Sequence, residues 1–111
     1  MKVQSSKGQV VELAPFILKN GVTEVSLLDA SETLQKEFLV KQTGFIKREL
    51  VKKLTGEYID IVYWTSQENA DRASQNAMNS PVCFAYFHLM KEADQNDPNA
   101  GVSHFVIINE Y

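Results

Sequence analysis

The stretch from Gly56 to Ala73, GEYIDIVYWTSQENADRA, constrains the chain more than any other. Read as a strand, it carries Tyr58, Val62 and Trp64 on one parity and Ile59, Ile61 and Tyr63 on the other. Apart from Asp60, neither side is polar. The stretch then turns polar and helix-like with no real loop between. An antiparallel sheet ordinarily shows one face to the core and the other to water. A strand that is apolar on both parities needs cover on both sides.

The rest of the chain supplies the context. With 111 residues it has room for one domain, 1–111, and not comfortably for two. QVVELAPFILKNG reads as a first strand, with Val11, Leu13 and Ile17 on one parity and Val10, Ala14, Phe16 and Leu18 on the other. Pro15 lacks an N–H and predicts a bulge or a gap in pairing. Asn20-Gly21 marks a turn, Thr23 can cap a first helix, and Leu27, Ala30, Leu34 and Phe38 form its buried stripe. After a stop at Gly44, FIKRELVKKL is a second strand. Strict alternation puts Phe45, Lys47, Glu49, Val51 and Lys53 on one face, and Ile46, Arg48, Leu50 and Lys52 on the other. Its charge suits a sheet edge, where Lys deters unwanted pairing.

Behind the third strand, Thr65 and Glu68 have capping-box spacing and open a second helix. Its apolar side is thin: Ala70, Ala73, Ala77 and Met78. Ser80-Pro81 restarts a short helix, PVCFAYFHLM, apolar nearly all round. The polar loop KEADQNDPNAG leads to a last strand, VSHFVIINEY. The order is βαββαβ, which predicts an α+β, ferredoxin-like domain: a four-stranded antiparallel sheet with its helices on one face. The second face then needs its own cover. A second copy of the chain is the simplest, giving a homodimer with sheets face to face; a loop or a different protein would also serve.

Composition excludes several classes. A net charge of −3 gives no Lys/Arg excess for phosphates, so no nucleic-acid partner is expected. Cys83 is the single cysteine, which rules out an intrachain disulfide and thiolate-rich zinc sites. Two histidines without metal-ligand spacing make no metal motif. No apolar run is long enough to span a membrane, and MKVQSSKGQV has no apolar leader region. The expectation is a soluble cytoplasmic protein without a membrane partner.

QTGFIKREL, GEYIDIVYWTSQENA and NSPVCFAYFHLM together resemble the antibiotic-biosynthesis-monooxygenase-like family of dimeric α+β barrels. The shared pattern is a Gly-Phe after the first helix, an aromatic-Trp pair ending the third strand and a polar helix start behind it. It covers roughly residues 9–110. The resemblance implies a dimer and a pocket for a small molecule. The family includes cofactor-free oxygenases of phenolic and quinone-like substrates, haem-degrading enzymes, and members with no assigned role. The haem-degrading branch uses an Asn on strand one, a Trp ending strand three and a His on helix two. Trp64 matches, but Asn20 only ends strand one and His88 lies beyond Pro81, so haem degradation is not expected. The cofactor-free oxygenases often place an Asn one strand-turn before the Trp. Here that position is Asp60, a carboxylate that accepts but, when ionised, cannot donate.

The candidate site follows. Trp64, Tyr63, Phe84, Phe87 and Phe16 are the candidate ligand-binding residues, and Trp64 offers a flat apolar wall with one N–H donor. Asp60, on the side of Val62 and Trp64, is a candidate base unless it pairs with Arg48 or Lys47 of the neighbouring strand. His88, in an aromatic helix, is the second candidate base; His104 is a weaker one. Cys83 reads as buried and inert. The reading is a homodimer that binds an apolar or aromatic small molecule. Through the resemblance, it is a cofactor-independent monooxygenase-like enzyme, with no metal and no cofactor. The alternative is a non-catalytic interaction or ligand-sensing module.

Overall fold

A computed structural model describes residues 6–97 and 100–111. Residues 1–5 of the N-terminal stretch, and Pro98 and Asn99 of the polar loop, lie outside the described residues. The elements are β1 (Val10–Phe16), α1 (Glu24–Glu37), β2 (Phe45–Lys52), β3 (Tyr58–Trp64), α2 (Gln67–Ala77), α3 (Pro81–Phe87) and β4 (Ser103–Val106), with a 3-10 turn at Leu39–Lys41. The strands form one antiparallel sheet in the order β2-β3-β1-β4. This is the ferredoxin-like α+β architecture, and the charged β2 stands at an edge as expected. No helix among the described residues is long and apolar enough to cross a membrane.

The parity of β3 decides the layers. Tyr58, Asp60, Val62 and Trp64 are buried and Ile59, Ile61 and Tyr63 are only half-buried. The buried set packs with Val10 of β1 against Leu27, Leu34 and Phe38, Ala70 and Ala73 of α2, and Cys83 and Tyr86 of α3. On the opposite face, Val11, Leu13, Ile59 and Ile61 are half-buried, and Val51 and Phe105 are exposed. The helices therefore cover one face, as the apolar pattern predicted.

Two local expectations change, in β2 and at the cap of α2, and one is narrowed, at Pro15. Strict alternation in β2 fails because Ile46 is a bulge: Phe45 pairs with Trp64, yet Lys47 pairs with Tyr63. An inserted residue reverses parity, so Phe45 moves to the helix side. There it meets Trp64 edge-on, with ring centroids 5.8 Å apart. Pro15 sits in an unbroken β1–β3 ladder, while β4 pairs with β1 only from Val10 to Leu13. The proline thus lies at a gap in pairing and not at a bulge. The cap of α2 is Ser66, whose hydroxyl accepts from the Asn69 N–H at 3.1 Å. Thr65 is still bound to the sheet, its N–H donating to the Gly44 carbonyl at 2.9 Å. Thr23 and Ser80 cap α1 and α3 as read from the sequence.

Gly44 is needed for the approach of α2 to the end of β2. Its φ is +82°, and a Cβ there would collide with Asn69 Nδ2 and lie 2.5 Å from Thr65 Oγ1. Gly56 also has a positive φ, of +104°, but nothing within 4 Å of an added Cβ. Gly44→Ala should lose about 1–3 kcal/mol from backbone conformation alone, and more from the contacts. Urea unfolding should show Gly44→Ala clearly less stable than Gly56→Ala; equal midpoints would show that the contacts relax freely.

Candidate functional site

Between the helix side of the sheet and the helices lies a cavity of about 420 Å³. Its inner wall is apolar, with Leu34, Phe38, Val62, Trp64 and Ala73 among its residues. The small side chains of α2 leave this space, since Ala70 and Ala73 bring the helix to the sheet without filling the room beside Trp64. At the open side stand the exposed Met78, Phe84, Phe87 and Val102. Trp64 itself is 2% exposed, and its Nε1–H is buried without a hydrogen-bond partner among the described residues. An unpaired buried donor costs roughly 1–3 kcal/mol, so a ligand acceptor able to reach it would recover that loss.

One end of the cavity is a closed polar network. Arg48 on β2 donates from Nε to Asp60 Oδ1 at 2.8 Å, and both side chains are under 10% exposed. The Tyr86 hydroxyl donates to Asp60 Oδ2 at 2.6 Å. Arg48 Nη2 also donates to Tyr86 Oη at 3.0 Å and to Ser31 Oγ at 2.7 Å, and Nη1 to the Ser31 carbonyl at 3.3 Å. Both Asp60 oxygens are thereby held, and Arg48 is the partner that the sequence offered as one of two. Lys47, the other, stands on the opposite face over the Tyr63 ring, 4.5 Å from its centroid. Burial, then the Asp60 charge and the hydrogen bond to it, push the Tyr86 phenol well above its ordinary range. Tyr86 is therefore a neutral donor.

A second polar pair is open. Glu12 and His104 face each other in the β1–β4 ladder, and Nε2 lies 3.1 Å from Oε1. Both line the cavity, and both side chains are partly buried, His104 at 26% exposure and Glu12 at 16%.

The structure thus brings Asp60, Trp64, Phe84, Phe87 and His104 to one cavity, with Cys83 also in its lining. The other sequence candidates stand elsewhere. His88 is the exposed C-cap of α3 and does not line the cavity. Tyr63 lies on the uncovered sheet face, its hydroxyl donating to Glu49 at 3.2 Å. Phe16 is stacked on Tyr58 at 5.4 Å and meets Tyr86 edge-on, as part of the core. Cys83 is buried, and burial raises its thiol. Sequence reasoning missed Tyr86 and Glu12. Glu12 had a signal: it is the one charge on the parity of Val10, Ala14 and Phe16. Tyr86 had little, because a helix apolar nearly all round does not declare its inner side.

No protein-family model matches the sequence, and no curated protein matches it. Solved structures do. A protein of Bordetella bronchiseptica assigned as an antibiotic biosynthesis monooxygenase is similar at a TM-score of 0.73 and 16% identity, over 92% of this chain and 99% of that one. SnoaB, a cofactor-independent oxygenase from Streptomyces nogalater, gives 0.66 and 16%, over 94% and 95%. The heme-degrading protein Rv3592 of Mycobacterium tuberculosis gives 0.56 and 12%, over 93% and 98%. The chain has the fold of antibiotic-biosynthesis-monooxygenase-like proteins, as the resemblance implied.

Two stability measurements follow from the closed network. Asp60→Asn leaves Arg48 buried without its counter-charge and should cost about 3–5 kcal/mol, whereas Asp60→Leu combined with Arg48→Met should recover most of it. The tyrosine gives a pH signature. Its raised folded value means that the native state keeps a proton which the unfolded chain releases above about pH 10. The contribution is complete below that pH and is lost as pH climbs toward the folded value. The stability gap between wild type and Tyr86→Phe, read from urea midpoints, should therefore narrow in the alkaline range; a constant gap would contradict it.

Proposed function

We propose that this chain is a soluble cytoplasmic homodimer whose cavity binds an apolar, aromatic small molecule, and that it acts on phenolic or quinone-like substrates as a cofactor-independent monooxygenase. The cavity beside Trp64 carries the reading: an apolar pocket of about 420 Å³ whose polar side chains are the Asp60 network, the Glu12–His104 pair and Ser74. Pockets of this size and make-up suit small ligands, the polar groups fixing orientation. The fold is shared with SnoaB, a cofactor-independent oxygenase, and this supports the chemical class.

The chemistry needs little equipment. A proton acceptor removes the phenolic proton, and the electron-rich anion reduces dioxygen directly. The ring carbon gains one oxygen atom, the other leaves as water, and the phenolic and ring hydrogens complete that water. A dry apolar wall protects the intermediate. Asp60 holds Arg48 and Tyr86 in place, and Trp64, Phe84 and Phe87 supply the walls.

One observation favours a second reading, a non-catalytic ligand-sensing module. Both Asp60 oxygens are held, and His88 stands outside the cavity. Trp64 is the single tryptophan, so emission excited selectively in tryptophan, away from the four tyrosines, reports this site alone. Titrating a panel of phenols and hydroquinones should change its emission, with dioxygen uptake for at least one of them. Binding without uptake across the panel favours the module, and an unchanged emission removes the pocket.

The dimer is part of the proposal. Covering several hundred Å² of apolar sheet face at ~25 cal/mol per Å² is a substantial driving force. Sedimentation should give twice the 12.5 kDa chain mass, and Ile61→Glu, on the uncovered face, should shift it toward the monomer. A wild-type monomer at micromolar concentration would refute this part.

A further inference from the structure

We infer that His104, positioned by Glu12, is the proton acceptor for a phenolic hydroxyl bound in the cavity. The inference rests on the phenol-binding reading above and adds the residue which that reading lacks. The two side chains come from adjoining strands. Glu12 and His104 are direct partners in the β1–β4 ladder, on the helix-facing side, and both line the cavity. Nε2 lies 3.1 Å from Glu12 Oε1. When Nε2–H donates to that carboxylate, the neutral ring carries its lone pair on Nδ1. Glu12 thus fixes both the tautomer and the ring orientation, the arrangement that prepares an imidazole to take a proton.

The other titratable groups in the cavity are committed elsewhere. Asp60 is held by Arg48 and Tyr86. The Tyr86 phenol keeps its own proton, since burial and the neighbouring Asp60 charge raise it. The Cys83 thiol is likewise raised by burial. His104 and Glu12 are the remaining titratable pair in the lining; the Ser74 hydroxyl also lines it but is too weak a base to take the proton. In the step, the substrate O–H bond breaks, an N–H bond forms at Nδ1, and the bonding pair stays on oxygen as phenolate. The new positive charge sits beside the Glu12 carboxylate. Because about a quarter of the His104 side chain is open to solvent, the proton can pass on to water and the ring is restored. No oxidant is needed for this transfer.

The test uses 4-nitrophenol, whose phenolate has its own absorption band, with the full-length chain below the pH at which the free probe ionises. Equilibrium dialysis measures binding, and the phenolate band measures proton transfer. Wild type should bind the probe largely as phenolate. His104→Gln should still bind it, with the bound phenolate-to-phenol ratio down by about tenfold, equal to one unit of relative ionisation. Glu12→Gln should lower the ratio less, with binding retained, as befits a positioning residue; a purely structural Glu12 would leave the ratio unmoved. An unchanged ratio in His104→Gln, or a wild type that binds only neutral phenol, overturns the inference and leaves the pocket standing. Absence of binding to wild type overturns both.

Discussion

The Arg48–Asp60 ion pair is the constraint around which the molecule is organised. Two charges taken out of water cost several kcal/mol each, and their attraction offsets this only when every remaining donor and acceptor is also met. Here the demand is met by other elements. Arg48 comes from β2 and Asp60 from β3, while Ser31 of α1 and Tyr86 of α3 complete the set. The network therefore fixes the position of two helices over the sheet, which apolar contact alone would leave free to slide. Its value is geometric: it sets the distance between α3 and β3, and so defines one end of the cavity.

That the cavity lies beside Trp64 follows from side-chain size. α2 meets the sheet through alanines, so its backbone comes near, yet it contributes almost no volume beyond Cβ. α3 contributes large residues but holds them differently: Tyr86 turns inward to Asp60, while Phe84 and Phe87 stay about half exposed at the opening. Exposed aromatics beside an apolar hollow are unusual for a surface meant only to meet water. The same excess of apolar surface recurs on the opposite sheet face at Val51 and Phe105. The chain thus has unsatisfied apolar area on two sides, one concave and one broad, and the two call for different occupants.

The layers were legible in the sequence because β3 alternates without interruption. Its parity alone separated Asp60, Val62 and Trp64 from Ile59, Ile61 and Tyr63, and the charge of β2 identified an edge. Legibility failed where one residue breaks a period. The bulge at Ile46 reversed the side of Phe45, and nothing in FIKREL marks an inserted residue, because bulges depend on pairing across strands. The α2 cap moved from Thr65 to Ser66 for the same kind of reason: Thr65 is retained by Gly44 across the sheet. The site was half legible. Asp60 could be placed, and its pairing with Arg48 anticipated, from strand adjacency. Tyr86 and the Glu12–His104 pair depend on tertiary contacts between elements far apart in the chain, and only the isolated charge of Glu12 in an apolar strand hinted at them.

The two polar groupings differ in a way that bears on chemistry. A base must be able to change its charge, and so must not be bound so tightly that the change breaks the fold. Protonating Asp60 would weaken its bond to Arg48 and leave a buried guanidinium without a counter-charge, the costly case among buried pairs. Protonating His104 creates a charge next to an existing carboxylate, at a position open to water, and breaks nothing in the core. The apolar hollow thus has a rigid ionic network and, at Glu12 and His104, a pair whose charge can change without breaking the core. The buried charges suit a fixed frame and the partly solvated pair suits proton exchange, because changing the charge costs far more in the first than in the second.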